Sequence, residues 1–354
     1  MASGVTRNQS AGLFGRENRT SERHKLKRHG NLFNKIFAPE NFHIAYLDAR
    51  KGKRKKWACF RFEINLGANM ASLIQEINDG VYRPRPYFRF LVYAPKKRII
   101  HAPAFRDIVV QHAIYRVVYP LFDATFIDQS FACRIGKGTH KASNYTQWAL
   151  RRCDPGSYTL KLDIRKFFHS IDRAILRILI ERKIKDRRLV DLMMLFATCD
   201  SATGIPIGNL LSQLYALIYL NPLDQYVKRV LGVKYYVRYV DDFILFGLTR
   251  SQCLEYRDRI VCYLENALRL TLSKSTIQTI RRGVNFVGYR TWRHKRFIRK
   301  FSLYKFRRAL REGRIKAAAS ILGHAHRTNS LPYMLKLIGE STYAQNIPLP
   351  KSYR

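Results

Sequence analysis

Tyr235–Phe246 reads YYVRYVDDFILF, two adjacent carboxylates between two runs of strand-forming residues, and no other stretch constrains the fold as strongly. Val, Ile, Phe and Tyr favour a pleated, largely buried backbone, and the Asp pair is the polar break at which a hairpin turns. An Asp-Asp dipeptide ordinarily serves a turn and nothing more. Here the apolar run Phe243-Ile-Leu-Phe246 follows it and Tyr-Val-Arg-Tyr-Val precedes it, so two like charges stand at the edge of a buried element. Such a pair raises its own pKa and weakens the fold unless a cation sits between the two groups. A hard cation such as Mg²⁺ wants a further carboxylate. Asp163 offers one, at the end of the alternating run Tyr158-Thr-Leu-Lys-Leu-Asp163. A carboxylate at one strand end and a pair on a neighbouring hairpin form a site for two divalent ions, which clamp the attacking and leaving oxygens of an in-line phosphoryl displacement.

The charge balance fits chemistry on a polyanion. Lys and Arg number 65 against 25 Asp and Glu, a net charge of +40 over 354 residues. Spread along the whole chain, these cations suit nucleic acid, where each phosphate contact releases counterions. No unbroken apolar span of about 18 residues and no signal-peptide arrangement is present, which sets a membrane role aside. With 47% hydrophobic residues the chain can bury a substantial core in two or three subdomains. Cys59, Cys133, Cys153, Cys199, Cys253 and Cys262 form no CxxC pair. Reduced thiols in a cytoplasm are therefore expected, with neither a zinc knuckle nor a disulfide framework.

In chain order, residues 1–24 read as a flexible basic tail. Leu32, Phe33, Ile36 and Phe37 recur at helical spacing, and Asn41–Leu47 continues as a second amphipathic helix. The basic run Arg50–Lys56 beside Trp57 and Phe60 reads equally as a solvated loop or as a contact to RNA backbone. A helix over Ala68–Asn78 stops at Asp79-Gly80, and Phe88–Tyr93 and Arg98–His101 read as strands around the turn Ala94-Pro-Lys-Lys97. In Phe131–His140, Gly136 and Gly138 punctuate a loop carrying Arg134 and Lys137, where the backbone can approach a phosphate closely. No Walker-type motif is present. A helix over Thr139–Arg152, another from Thr203–Gln213 to about Val230 and a third over Ser251–Leu268 complete the framework. Arg290–Arg314 is dense in Arg and Lys at what reads as helical spacing, interleaved with Trp292, Phe297, Tyr304 and Phe306.

The run from Asp163 to Phe168 and the YVDD turn resemble the catalytic palm motifs of reverse transcriptases. More blocks narrow the likeness: Arg28-His-Gly-Asn-Leu, Asp163-Ile-Arg-Lys-Phe-Phe-His-Ser-Ile-Asp172, Ile207-Gly-Asn with Ser212-Gln213, Tyr219-Leu-Asn-Pro-Leu-Asp224 and Tyr236-Val-Arg-Tyr-Val-Asp-Asp-Phe. In that order, over roughly Arg28 to Leu310, they resemble the reverse transcriptases of diversity-generating retroelements, in which Ile207 replaces a Gln and Gln213 a Pro of most reverse transcriptases.

The resemblance implies an α+β right-hand polymerase with a small antiparallel palm sheet. It divides the chain into the tail at 1–24, an N-terminal extension and fingers at 25–155, the palm with its helices at 156–290, and the thumb and C-terminal tail at 291–354. Asp163 and Asp241, with the backbone at Ile164, would hold two Mg²⁺ ions, and Asp242 would serve as a ligand or as an electrostatic neighbour. Lys274 takes the place of a general acid for pyrophosphate, although Ser275 stands where the family usually has Thr. Lys96, Lys97 and Arg98 would reach the incoming dNTP, and Phe168 would exclude the ribose 2′-hydroxyl. Ile207 and Gly208 would line the nucleotide site, with Ile207 and Gln213 setting fidelity. Arg106, Arg134 and Lys137, together with Gly288 and Tyr289 of the primer-grip block, would contact nucleic acid. The implied partners are a template RNA, the RNA/cDNA duplex and an accessory variability determinant protein, in a bacterial or phage-encoded cytoplasmic system that copies RNA into adenine-mutagenised cDNA. The alternatives are a group II intron or retron reverse transcriptase, and a non-catalytic RNA-binding scaffold.

Overall fold

The computed structural model describes residues 27–93, 97–199 and 201–340. The tail at 1–24, Lys96 with most of its turn, and the last part of the C-terminal segment lie outside the described residues. The chain divides into two compact units, each assembled from three stretches: Met1–Ala124, Phe168–Tyr219 and Cys262–Leu270 in the first, and Thr125–Phe167, Leu220–Val261 and Thr271–Arg354 in the second.

The first stretch of the first unit is helical, as its apolar spacing dictates. Helix α1 (Leu32–Phe37) buries Leu32, Phe33, Ile36 and Phe37, and α2 (Pro39–Arg50) starts at a proline whose missing N–H costs nothing in a first turn. Both pack on α5 (below). Helix α3 (Trp57–Ile64) was not expected: only Cys59 and Phe62 are buried, so its apolar pattern lacks a clean stripe. Helix α4 (Leu66–Asn78) ends beside Asp79-Gly80 as expected. Strands β1 (Phe88–Val92) and β2 (Arg98–Ala102) form an antiparallel hairpin with Phe88 opposite Ala102. The chain then enters α5 (Phe105–Asp123), which buries Val109, Val110, Ala113, Ile114 and Val118.

Helix α6 (Thr139–Arg152) and strand β3 (Tyr158–Ile164) follow, at the positions their periodicities indicate. After β3 the chain forms two separate helices: α7 (Phe167–Ser170) is a single turn, and α8 (Arg173–Glu181) begins afresh where the Asp172 carboxylate caps the amides of Ala174 and Ile175. Then come α9 (Arg187–Ala197) and α10 (Leu210–Gln225), the latter extended by a π-helical turn over Tyr226–Val230. Strands β4 (Tyr235–Tyr239) and β5 (Asp242–Leu248) form the hairpin expected at the Asp pair, followed by α11 (Arg250–Leu268) and β6 (Leu272–Thr279).

Strands β3 to β6 make one antiparallel sheet in the order β4-β5-β3-β6. Phe243, Ile244, Leu245 and Phe246 are all buried, so β5 is covered on both faces and reads as a continuous apolar run. A second antiparallel sheet comprises β7 (Val284–Phe286), β8 (Tyr289–Thr291) and β9 (Arg296–Ile298). This corrects the helical reading of Arg290–Arg314. Burial alternates along β8 and β9, a period of two, and the helical period begins only at α12 (Lys300–Arg311). With α13 (Ile315–Ala325) and α14 (Leu331–Gly339), α12 closes around Phe306, Leu310, Leu322 and Met334. Among the described residues, no helix is long and apolar enough to cross a membrane.

Candidate active site

Antiparallel pairing brings the carboxylates together in the second unit. Asp163, at the end of β3, lies directly opposite Asp242, the first residue of β5. The Ile164 N–H donates to the Asp241 carbonyl at 3.2 Å, which ties the far side of the turn to the same strand. Tyr239 pairs with Asp242, leaving Val240 and Asp241 as a two-residue loop. Val240 has φ 57°, a left-handed conformation that a β-branched residue rarely adopts.

Around these carboxylates stand Lys161 and Ser273, which sequence reading did not single out, and Lys274, which it did. Lys161 sits two residues before Asp163 and thus on the same face of β3. Its Nζ donates to Asp242 Oδ2 at 2.8 Å and to the Asn285 carbonyl at 2.7 Å. Ser273, on β6, donates from its hydroxyl to Asp163 Oδ2. Lys274 is exposed on β6 opposite Asp163. Burial pushes the Asp242 pKa up; Lys161 counters this, and the neighbouring Asp163 adds to the rise. The period-two spacing of Lys161 and Asp163 was a usable signal, whereas Ser273 depends on a strand pairing that no local pattern reveals.

The donor set fits hard divalent cations. The clustered donors are carboxylate oxygens, and Asp242 Oδ1 is buried without a hydrogen-bond partner. Among the described residues, no group of three or more His, Cys, Asp or Glu side chains is placed to hold a metal ion. Mg²⁺ takes one or two carboxylates and completes its shell with water and substrate phosphates.

The nucleotide-site candidates Lys97, Arg98, Phe168, Ile207 and Gly208 belong to the first unit. Phe167 is buried in the core, whereas Phe168 is partly exposed. The Phe168 carbonyl accepts from the Ile205 N–H at 2.8 Å, and the Ile207 carbonyl from the His101 N–H at 2.7 Å. Gly208 has φ 111°, and a Cβ there would lie 2.7 Å from Ile100 Cγ2, so the loop can approach β2 only as glycine. These bonds hold Phe168, Ile207 and the β1–β2 hairpin in one framework. Lys97 and Arg98 are exposed, Ile207 is half-buried and Gln213 is exposed on α10.

Several proposed nucleic-acid contacts prove to be engaged within the protein. Arg106 pairs with Glu76 and lies 5.3 Å over the Tyr82 ring. Arg134 donates to the carbonyls of Ile127 at 2.6 Å and Ser130 at 3.2 Å, and Lys137 to Asp128 Oδ1 at 2.5 Å. Their charges order loops first. Tyr289 is buried, with its hydroxyl 3.0 Å from His324 Nδ1, 3.2 Å from His140 Nδ1 and 2.9 Å from the His324 carbonyl. It fastens β8 to α6 and α13. Gly288 has φ 92°, and a Cβ there would lie 2.8 Å from His324 Nε2.

Residues 94–291, more than half of the chain, match the family described as reverse transcriptase (RNA-dependent DNA polymerase). Protein YkfC of Escherichia coli (strain K12) is 27% identical over 284 residues, 66% of this chain and 74% of that protein. Group II intron-encoded protein LtrA of Lactococcus lactis subsp. cremoris is 27% identical over 211 residues, which cover 55% of this chain and 35% of LtrA. Among solved structures, telomerase from Candida albicans in complex with a fragment of telomeric RNA aligns with 75% of this chain and 57% of that one, at 12% identity and a TM-score of 0.47. On the family match, this chain belongs to the reverse transcriptases.

Proposed function

We propose that the chain is the RNA-directed DNA polymerase of a diversity-generating retroelement, copying a template RNA into cDNA with frequent errors at adenines. The observation that carries the polymerase site is the cross-strand pairing of Asp163 with Asp242 beside the Val240–Asp241 turn. In this reading Asp163 and Asp241, with the backbone at Ile164, hold two Mg²⁺ ions, and Asp242 supports them. When bound, such ions stabilise charge on the attacking 3′-oxygen and on the departing pyrophosphate. Lys161 favours the charged form of Asp242 and holds it in place, Ser273 orients Asp163, and Lys274 stands exposed on the adjoining strand as the proton donor to pyrophosphate. Phe168 blocks a 2′-hydroxyl by its ring, and Lys97 and Arg98, with Lys96, meet the triphosphate. Fingers at 25–155, palm at 156–290 and thumb at 291–354 remain the division this reading uses. Template RNA, the growing duplex and an accessory variability determinant protein are its partners.

The mutagenic assignment rests on Ile207. A Gln at this place can hold a nucleotide through hydrogen bonds that form well only when the new pair has correct geometry, whereas Ile offers only packing. One such bond discriminates by about 1–3 kcal/mol, roughly ten- to a hundredfold. Ile207→Gln should therefore lower misincorporation opposite adenine when cDNA from a defined template is sequenced. A wild-type enzyme with equal error rates opposite all four bases would return the chain to the second reading, a group II intron-type reverse transcriptase, which the likeness to LtrA favours.

A further inference from the structure

The largest fully buried side chain in the described part of the protein is a cation, Arg238, 1% exposed on β4. Its Nε and Nη2 donate to the two carboxylate oxygens of Asp224, at 2.7 and 2.5 Å, and Asp224 is itself fully buried near the end of α10. Tyr236 adds a third bond to that carboxylate, at 2.8 Å. A buried pair of this kind is seldom retained for stability, because apolar residues of similar volume usually serve the fold as well. The remaining arm of the guanidinium explains its use. Nη1 donates to the carbonyl of Val240 at 3.0 Å.

Val240 is where the active-site hairpin is strained. In the two-residue loop Val240–Asp241, only the first position has positive φ, the pattern of a type II′ turn, which normally demands glycine there. A valine in this conformation persists only where its surroundings over-determine it. Two bonds do so: Arg238 holds the Val240 carbonyl, and the Ile164 N–H holds the carbonyl of Asp241. Arg238 in turn is fixed at both backbone atoms, its N–H bonded to the Gln129 carbonyl and its carbonyl to the Phe131 N–H, each at 3.0 Å.

We propose that Asp224 and Arg238 are positioning residues: the buried pair grips the Val240 carbonyl, holds the turn in its glycine-like conformation and so aims the Asp241 carboxylate. The inference rests on the reading of Asp241 as a metal ligand. It predicts a specific coupling, because glycine at position 240 adopts the same conformation without strain and no longer needs the grip.

The test replaces the pair by apolar residues, Asp224→Leu with Arg238→Met, so that no orphaned charge remains buried. The melting temperature should stay within a few degrees, while kcat for primer extension falls by about 10²-fold, as expected for a reacting group displaced by about 1 Å. The KM for dNTP should move little. In the Val240→Gly background the same replacement should cost about tenfold less in kcat. Binding of Mn²⁺ alone, followed by electron paramagnetic resonance, should weaken in the first case and recover in the second. Arg238→Lys, which keeps the charge but loses the fork, gives the same comparison if the double replacement does not fold. Equal losses with Val240 and with Val240→Gly, or no loss, overturn the positioning role. Asp241→Asn run alongside separates the two failures: full activity in that variant sinks the metal-site reading, whereas an inactive Asp241→Asn without coupling sinks the positioning role alone.

Discussion

The protein contains two hairpins of similar length that share almost nothing else. β4–β5 is embedded in a four-stranded sheet, with Ile244 at 0% exposure, and it carries carboxylates at its turn. β1–β2 is a two-stranded sheet by itself, with Phe88 72% and Ile99 49% exposed, and it carries cations at its turn. A two-stranded ribbon is marginal in water. On the proposed function, the contrast follows from what each turn would handle. Carboxylates aimed at metal ions must hold their geometry closely, so their hairpin is buried on both faces and its loop carbonyls are clamped by Arg238 and Ile164. A hairpin that meets a mobile polyanion gains from reach, and β2 is tied to its own unit through the His101 to Ile207 bond.

The sharpest way to break this comparison is at the carboxylates. Asp163→Asn or Asp241→Asn should abolish primer extension, a loss on the order of 10³-fold or more for removing several kcal/mol of transition-state stabilisation. RNA binding should remain nearly intact, because affinity comes from cations spread over the chain. Asp242→Asn should be less complete, since its Oδ2 is already occupied by Lys161. Extension assays beside filter binding read both quantities, and near-normal synthesis by either of the first two variants refutes the site.

Stability should divide the hairpins next. Ile244→Ala opens a cavity in a fully buried strand and should cost about 2–5 kcal/mol in chemical denaturation. Ile99→Ala, on the exposed ribbon, should cost no more than about 0.5 kcal/mol. Equal costs would mean that the β1–β2 surface is covered in the folded protein.

What was legible in the sequence follows the same division. The β4–β5 hairpin, Asp163 at its strand end and α6 at its observed bounds were all readable, because each combines a strong period with a clear break. The internal partners of Arg106, Arg134 and Tyr289 were not. A basic or aromatic residue in a loop has the same local signature whether it meets RNA or a neighbouring carbonyl, and only the fold supplied Glu76, Ile127 and His324 as partners. The strands at Arg290–Ile298 were hidden because three-residue strands are too short to establish a period. Of the adjacent rings Phe167 and Phe168, burial assigns the first to the core, which leaves Phe168 as the candidate sugar gate. Phe168→Ala should therefore admit ribonucleotides, shifting the ratio of dCTP to CTP incorporation opposite guanine by about tenfold or more toward CTP. An unchanged ratio in an active variant places the gate elsewhere.

The smallest expected effect tests the other turn. Lys97 and Arg98 are exposed, and Arg98 lies opposite Val92 at the turn end of the ribbon. If the ribbon grips the triphosphate, Lys97→Ala with Arg98→Ala removes charge-assisted bonds formed on binding and kept through the reaction, which changes KM and leaves kcat nearly constant. One such bond in a solvent-accessible place is worth about 1.5 kcal/mol, so the KM for dNTP should rise about tenfold. The rise should shrink as salt increases, because exposed charges are screened within about 10 Å at 0.1 M. Steady-state extension at two ionic strengths measures both features. A fall in kcat at constant KM would instead make this ribbon part of the chemical step and erase the distinction between the two hairpins.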